Sequence, residues 1–164
     1  MLFKSCEFVI LDAARMGAAI RKARSFGAEH VSLYKGASET DLASVAPYIF
    51  DLSSGGGLAN WLLSEGWSKG WAVYVKSPAK MDELRSHFRK FLFVRTQQGR
   101  DWYFRFYDPR VLLHALPTFG LDQLTSFFGP VQQFVLESEN PKIAVAFSLK
   151  HSQLQVEQEG VVSQ

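Results

Sequence analysis

The segment Gly70-Trp-Ala-Val-Tyr-Val-Lys-Ser-Pro78 decides the fold class of this chain. The residues from Trp71 to Lys76 alternate in side-chain type, which predicts a β-strand. Ser77 and Pro78 are typical of an N-cap and a first helical residue, so a helix is predicted to follow and to run to about Lys90. A strand that leads directly into a helix indicates a mixed α/β domain.

Short apolar runs and helical patterns alternate on both sides of this segment. Further strands are predicted at Phe8 to Leu11, Gln132 to Glu137 and Ile143 to Lys150. We therefore expect one mixed α/β (α+β) domain over residues 1–152, with a central mixed sheet of about five to seven strands and short flanking helices. From Gln153 the sequence is polar, and we expect a frayed tail over residues 153–164.

The composition excludes several other classes of protein. A chain of 164 residues with 47% hydrophobic and 21% charged residues is not typical of a disordered protein. The single cysteine, Cys6, excludes an intramolecular disulfide framework and a multi-cysteine zinc site. No apolar run approaches the ~20 residues of a membrane span, and the first residues lack the apolar stretch of a secretory signal. We expect a cytoplasmic protein that does not enter a membrane.

Positive charge and aromatic rings concentrate in the middle of the chain. Residues 69–110 contain ten basic and four acidic side chains, a net charge of +6, whereas the whole chain has a net charge of +2. The chain contains 14 Phe, 5 Tyr and 4 Trp. Such a segment fits an acidic partner or nucleic acid, but it also fits solvated basic side chains around an ordinary core.

A β-hairpin is predicted over residues 91–107, with Gly99 in its turn. Two sets of side chains alternate along its second strand: Trp102, Phe104 and Phe106 on one face, and Tyr103, Arg105 and Tyr107 on the other. The motif that follows has structural roles: Asp108 as an N-cap, Pro109 as the first helical residue, and Arg110 as a partner for nearby carboxylates.

The sequence contains no recognisable catalytic or metal-binding constellation. The four histidines lack metal-ligand spacing, and no G-x-S-x-G nucleophile motif is present. The glycine loop Gly55-Gly-Gly57 lacks the G-K-[ST] of a phosphate loop and is interpreted as a flexible connection. We expect a protein that is not an enzyme, with no catalytic residues, no metal and no cofactor.

Several motifs in a fixed order resemble one protein family. They are Trp61-Leu-Leu-Ser-Glu-Gly-Trp67, Gly70-Trp-Ala-Val-Tyr-Val-Lys-Ser-Pro78, Leu84-Arg-Ser-His-Phe-Arg-Lys-Phe-Leu-Phe-Val-Arg95, Trp102-Tyr-Phe-Arg-Phe-Tyr-Asp-Pro-Arg-Val-Leu112 and Phe127-Phe-Gly-Pro130. Together they resemble the type VI secretion effector-chaperone (adaptor) family, over roughly Phe8 to Val135. The most specific stretch is Phe104-Arg-Phe-Tyr-Asp-Pro-Arg-Val-Leu112.

The resemblance implies a non-enzymatic role. Members of that family bind a cognate toxic effector in the producing cell and help to load it onto the VgrG spike protein. An adaptor needs exposed apolar anchors with a polar rim, and aromatic and arginine side chains are enriched among such anchors. We therefore hypothesise that Arg95, Tyr103, Arg105 and Tyr107 form part of an effector-binding surface, although each ring could equally belong to the core.

The alternative is a domain that binds single-stranded nucleic acid. Basic residues interleaved with Phe and Tyr on a strand are typical of stacking platforms for single strands. The small total charge and the lack of an RNP-like element argue against this alternative.

Overall fold

The computed structural model describes residues 2–95 and 97–161. The strands are β1 (Phe8–Asp12), β2 (His30–Ser32), β3 (Pro47–Asp51), β4 (Ala72–Lys76), β5 (Phe93–Arg95), β6 (Asp101–Tyr103), β7 (Gln133–Glu137), β8 (Ile143–Lys150) and β9 (Gln153–Gly160). The α-helices are α1 (Ala13–Met16), α2 (Ala19–Ser25), α3 (Ala37–Asp41), α4 (Leu58–Trp61), α5 (Met81–Arg89), α6 (Pro109–Ala115) and α7 (Leu121–Phe128). Short 3₁₀ turns at Leu2–Ser5 and Leu116–Thr118 and a π-helical turn at Leu62–Gly66 complete the elements.

Seven strands form one central sheet in the order β2-β3-β1-β4-β7-β8-β9. Each pairing between neighbouring strands of this sheet is antiparallel. β5 and β6 form a separate two-stranded sheet. The predicted fold class is confirmed: helices and strands mix in one structure, and the sheet has the expected number of strands.

The central sheet separates two apolar layers. On one face it packs against α5, α6 and α7, with Phe88, Leu112 and Phe127 among the buried side chains. On the other face it packs against α1, α2 and α4, with Ile20 and Leu58 among them. Because both faces are covered, all five residues of β1 are buried, which explains its continuous apolar run.

The helix after β4 begins later than its sequence signal predicts. α5 begins at Met81, so Pro78 is not its first residue. Ser77 instead organises a turn: its hydroxyl donates to the carbonyl of Pro130, and the N–H of Ala79 donates to the Ser77 oxygen. A serine followed by proline is equally suited to such a turn, which explains the difference.

The expectation of a frayed tail from Gln153 is wrong for β9. All eight residues of β9 pair with β8, through a turn at His151 and Ser152, which both have positive φ. Positive φ at both turn residues matches the right-handed twist of a hairpin. The side chains of β9 are polar because it lies at the edge of the sheet, where polar residues do not prevent strand pairing. Residues 162–164 lie outside the described residues.

Candidate interaction surface

The hairpin formed by β5 and β6 occupies the predicted position, but its strands are shorter than predicted. Phe93 pairs with Tyr103, and the strands end at Arg95 and Asp101 on either side of the turn. Gly99 in the turn has a φ of +75°, which glycine adopts without strain. This small sheet does not join the central sheet, and all three residues of β6 are exposed.

Three large rings of the hairpin are exposed to solvent. Trp102 is 62% exposed, Tyr103 67% and Phe93 51%. The rings of Phe93 and Tyr103 contact each other, with 4.8 Å between their centroids. Trp102 occupies the strand position next to Tyr103, so its side chain lies on the opposite face of the hairpin. We call these three residues the hairpin ring patch, which thus covers both faces of the hairpin. Exposed rings of this size in one small element are typical of a binding surface rather than of a core.

The rings that follow the hairpin are buried or partly buried. Phe106 is fully buried and stacks on Phe88, with 5.4 Å between the ring centroids. Phe104 is partly buried and contacts Phe119 and Phe127. We call these five residues the inner ring cluster. It anchors the base of the hairpin to α5 and α7.

The predicted alternation of faces from Trp102 to Tyr107 does not occur. β6 ends at Tyr103, and the chain turns before α6 begins. A period of two holds only within a strand, so it cannot place residues beyond the last strand position. Trp102 therefore does not share a face with Phe106: the first is exposed and the second is buried.

Tyr107 is buried, contrary to the expectation that it lies on the exposed surface. Its side chain interacts with that of Tyr34. Burial raises the pKa of Tyr107 above its ordinary value. Tyr107 thus stabilises the contact between the hairpin base and the loop after β2, and only Tyr103 of the two predicted tyrosines faces solvent.

Arg105 joins the hairpin base to the central sheet. Its Nη2 lies 2.7 Å from Oδ2 of Asp12 and 3.9 Å from Oδ2 of Asp108. The hydrogen bond to Asp12 raises the pKa of Arg105. Asp12 is fully buried and also caps α1, because its Oδ1 accepts from the N–H of Ala14 at 3.1 Å. About 45% of the Arg105 side chain is exposed, so it has both a structural partner and a solvent-facing part.

The Asp-Pro-Arg motif forms the start of α6. Asp108 is the N-cap, and Pro109 is the first residue of the helix. Arg110 binds Asp108 through two hydrogen bonds, from Nε at 3.0 Å and from Nη2 at 2.7 Å. Burial acts to raise the pKa of Asp108, but the side-chain and backbone hydrogen bonds from Arg110 outweigh it and lower this pKa. These contacts are structural ones.

The remaining predicted site residue is Arg95. It is the last residue of β5, opposite Asp101. Its side chain lies outside the described part of the structure. The structure therefore brings only Tyr103 and Arg105 of the four predicted residues to the surface in described positions, and it adds Phe93 and Trp102.

A cleft, which the sequence did not reveal, lies between α6, the end of β7 and residues 68–70. Its volume is about 420 Å³. Glu137 lies at this cleft and accepts a hydrogen bond from the N–H of Gly70 at 3.2 Å. Burial raises the pKa of Glu137 to about 7. Arg15 and Arg110 also line the cleft. Nothing in the spacing of these residues indicates their proximity, because they come from distant elements.

The described residues show neither a metal-binding cluster nor a membrane-spanning helix. Residues 2–95 and 97–161 contain no group of three or more His, Cys, Asp or Glu side chains that could hold a metal ion. In the same residues, none of the helices has the length and apolar character needed to cross a membrane.

One protein-family model matches this chain. The family is described as a domain of unknown function, DUF4123, and the match covers residues 7–126. No curated protein and no solved structure matches the chain. The matched residues include the hairpin ring patch, Arg105 and the Asp-Pro-Arg motif.

Proposed function

The chain belongs to the DUF4123 family of domains of unknown function, and we propose that it is a non-enzymatic adaptor that binds a partner protein through the hairpin ring patch. The proposed partner is the cognate effector of a type VI secretion system. The adaptor holds this effector in the cytoplasm of the producing cell and helps to load it onto the VgrG spike protein. The resemblance of the sequence motifs to effector chaperones supports the choice of this partner.

The observation that carries the proposal is the exposure of Phe93, Trp102 and Tyr103 on one hairpin. Trp and Tyr are the side chains most enriched among residues that dominate binding free energy. Two or three neighbouring rings can each enter a pocket on a partner, and each ring that is desolvated there contributes on the order of 2 kcal/mol. A catalytic role would not require such a surface.

The position of the patch also favours binding. The inner ring cluster and the Arg105–Asp12 ion pair hold the hairpin base against a rigid domain. A surface that is already ordered loses little conformational entropy when it binds. Exposed polar residues on the turn, such as Arg100, provide a rim around the rings.

A co-expression experiment tests the proposal. The tagged adaptor is expressed with the product of a neighbouring toxin gene, and recovery of the toxin is measured by affinity purification. We expect the double variant Trp102→Ser and Tyr103→Ser to recover at least about tenfold less toxin, because both anchors are lost. The matched control is Leu42→Ser, which changes an exposed apolar residue at the end of α3. It should recover as much as the wild type.

The variants must fold for the comparison to count, and circular dichroism and thermal unfolding verify this. Equal recovery by the wild type and the folded double variant would exclude the hairpin ring patch as the binding surface. Arg105→Glu is not a suitable test, because it would place a third carboxylate beside Asp12 and Asp108. Such a change destabilises the fold through like-charge repulsion.

The same exposed rings would also suit single-stranded nucleic acid, so a titration with oligonucleotides separates the two functions. Nucleic-acid binding falls steeply with salt because counterions are released. The adaptor proposal predicts capture of the toxin that survives moderate salt and no tight binding of oligonucleotides.

A further inference from the structure

The two edges of the central sheet differ in length and protection. β2, at one edge, has only three residues, whereas β9, at the other, has eight. Within residues 2–95 and 97–161, no strand pairs with the outer side of β9. β9 contains no proline and no lysine, and its register with β8 is continuous over eight pairs, so no bulge interrupts it. Of the devices that natural proteins use to block edge pairing, β9 has only the charges of Glu157 and Glu159.

The hydrogen-bonding groups that β9 presents outward can be assigned. The N–H of Val161 donates to the carbonyl of Lys142 at 2.7 Å. Hydrogen-bonded pairs alternate with non-bonded pairs along an antiparallel ladder, so Gln153, Gln155, Glu157 and Glu159 bond to β8. The backbone N–H and C=O groups of Leu154, Val156 and Gln158 consequently point away from β8.

A row of apolar side chains crosses the sheet and ends at this edge. Its members pair with one another strand by strand: Phe8, Val75, Phe134, Phe147 and Val156. The first four are buried in the same apolar layer. Val156, the last member of the row, is 52% exposed because no strand lies beside it beyond β9 in the described residues.

We propose that two copies of this chain pair through β9, antiparallel, about a two-fold axis at Val156. In this register Val156 lies opposite Val156 of the second copy, and the apolar row continues into that copy. Leu154 lies opposite Gln158, so the outward-pointing groups of Leu154, Val156 and Gln158 find hydrogen-bond partners in the other copy. A two-fold interface requires such self-complementarity.

The charges of β9 select this register over its neighbour. With the axis at Val156, Glu157 lies opposite Gln155 and Glu159 opposite Gln153. If the axis moved by one residue to Glu157, this glutamate would lie opposite Glu157 of the second copy. Like charges directly opposite each other destabilise a strand pair. The axis at Val156 thus avoids a repulsion that the next register contains.

Analytical ultracentrifugation of the full chain over a wide concentration range tests the pairing. The wild type should show a concentration-dependent dimer. Val156→Lys should weaken the dimer by about tenfold or more, because two lysines would meet at the axis. Val156→Thr is the matched control and should leave dimerisation within about threefold of the wild type, since Thr is also β-branched. A wild type that stays monomeric at the highest concentration would overturn the proposal.

Cysteine cross-linking tests the register. Under mild oxidation Val156→Cys should form a disulfide between copies, because directly opposite residues lie about 5.5 Å apart, within disulfide reach. Gln158→Cys should not, because the cysteine introduced in each copy would face Leu154 of the other. The native Cys6 is buried, and burial raises its pKa to about 12, so it does not compete. Cross-linking of Gln158→Cys but not of Val156→Cys would overturn this arrangement. So would a monomeric wild type whose Val156→Lys variant loses the toxin, since β9 would then take a strand of the toxin.

Discussion

The hairpin ring patch and Phe106 of the inner ring cluster are close in sequence but differ strongly in exposure. Trp102 and Tyr103 are mostly exposed, whereas Phe106, only a few residues further on, is fully buried. Composition alone treats these rings as equivalent. The comparison shows that the end of a strand, not the residue type, decides whether a ring is exposed or buried.

The largest effect is expected in the inner ring cluster. Phe106→Ala should lower the free energy of unfolding by about 3–5 kcal/mol, since it leaves a cavity among Phe88, Phe104 and Phe127. Urea denaturation measures this change. A loss below about 1 kcal/mol would contradict the assignment of Phe106 to the core.

The next effect concerns the attachment of the hairpin base. Asp12→Asn keeps an oxygen that can cap α1 but removes the charge that binds Arg105. We expect a loss of about 1–2 kcal/mol in the free energy of unfolding, reduced by the partial exposure of Arg105. A double-mutant cycle with Arg105→Ala isolates the pair. Additive losses from the two substitutions would show that the pair contributes no coupling energy.

The free energy of unfolding should depend on pH because of the buried carboxyl group of Glu137. The pKa of Glu137 is about 7 in the folded chain, above its ordinary value of 4.5. The folded state therefore holds the proton more tightly, and the free energy of unfolding should fall, on the order of 1 kcal/mol, as the pH rises from about 4.5 through 7. Chemical denaturation at several pH values measures this. Glu137→Gln should flatten the profile over that range, and an unchanged slope in this variant would assign the effect to another group.

The smallest effect on stability is expected at the hairpin ring patch. Trp102→Ala and Tyr103→Ala should each change the free energy of unfolding by no more than about 0.5 kcal/mol, because both side chains are already exposed. Thermal and urea denaturation check this. A loss of about 2 kcal/mol would mean that these rings stabilise the fold and would remove the contrast with Phe106.

Much of the fold was predictable because local patterns specify it. The alternating run of β4, the apolar run of β1 and the capping residue of α6 each contain their own signal. The sequence does not indicate β9, because the stability of this strand comes from pairing with β8 rather than from apolar side chains. No local pattern reports that pairing.

The candidate surface was predictable only in part. The hairpin has a turn glycine and alternating residues, so its position could be read. The burial of Tyr107 depends on Tyr34, which lies far away in the sequence. The ion pair between Arg105 and Asp12 likewise joins residues from distant elements. Such contacts follow from the packing of the whole chain.

The ion pair between Arg105 and Asp12 links the hairpin to the start of α1, so binding at the hairpin should be measurable at α1. Asp12 is the last residue of β1, an interior strand of the sheet, and its carboxylate also accepts a hydrogen bond from the N–H of Ala14. A partner that fixes the hairpin thereby restrains Arg105, Asp12 and the first turn of α1 together. By thermodynamic reciprocity, whatever orders that first turn strengthens the hold on the partner by the same factor. Slower hydrogen exchange at the Ala14 amide upon complex formation would therefore measure binding at a site that the partner does not touch.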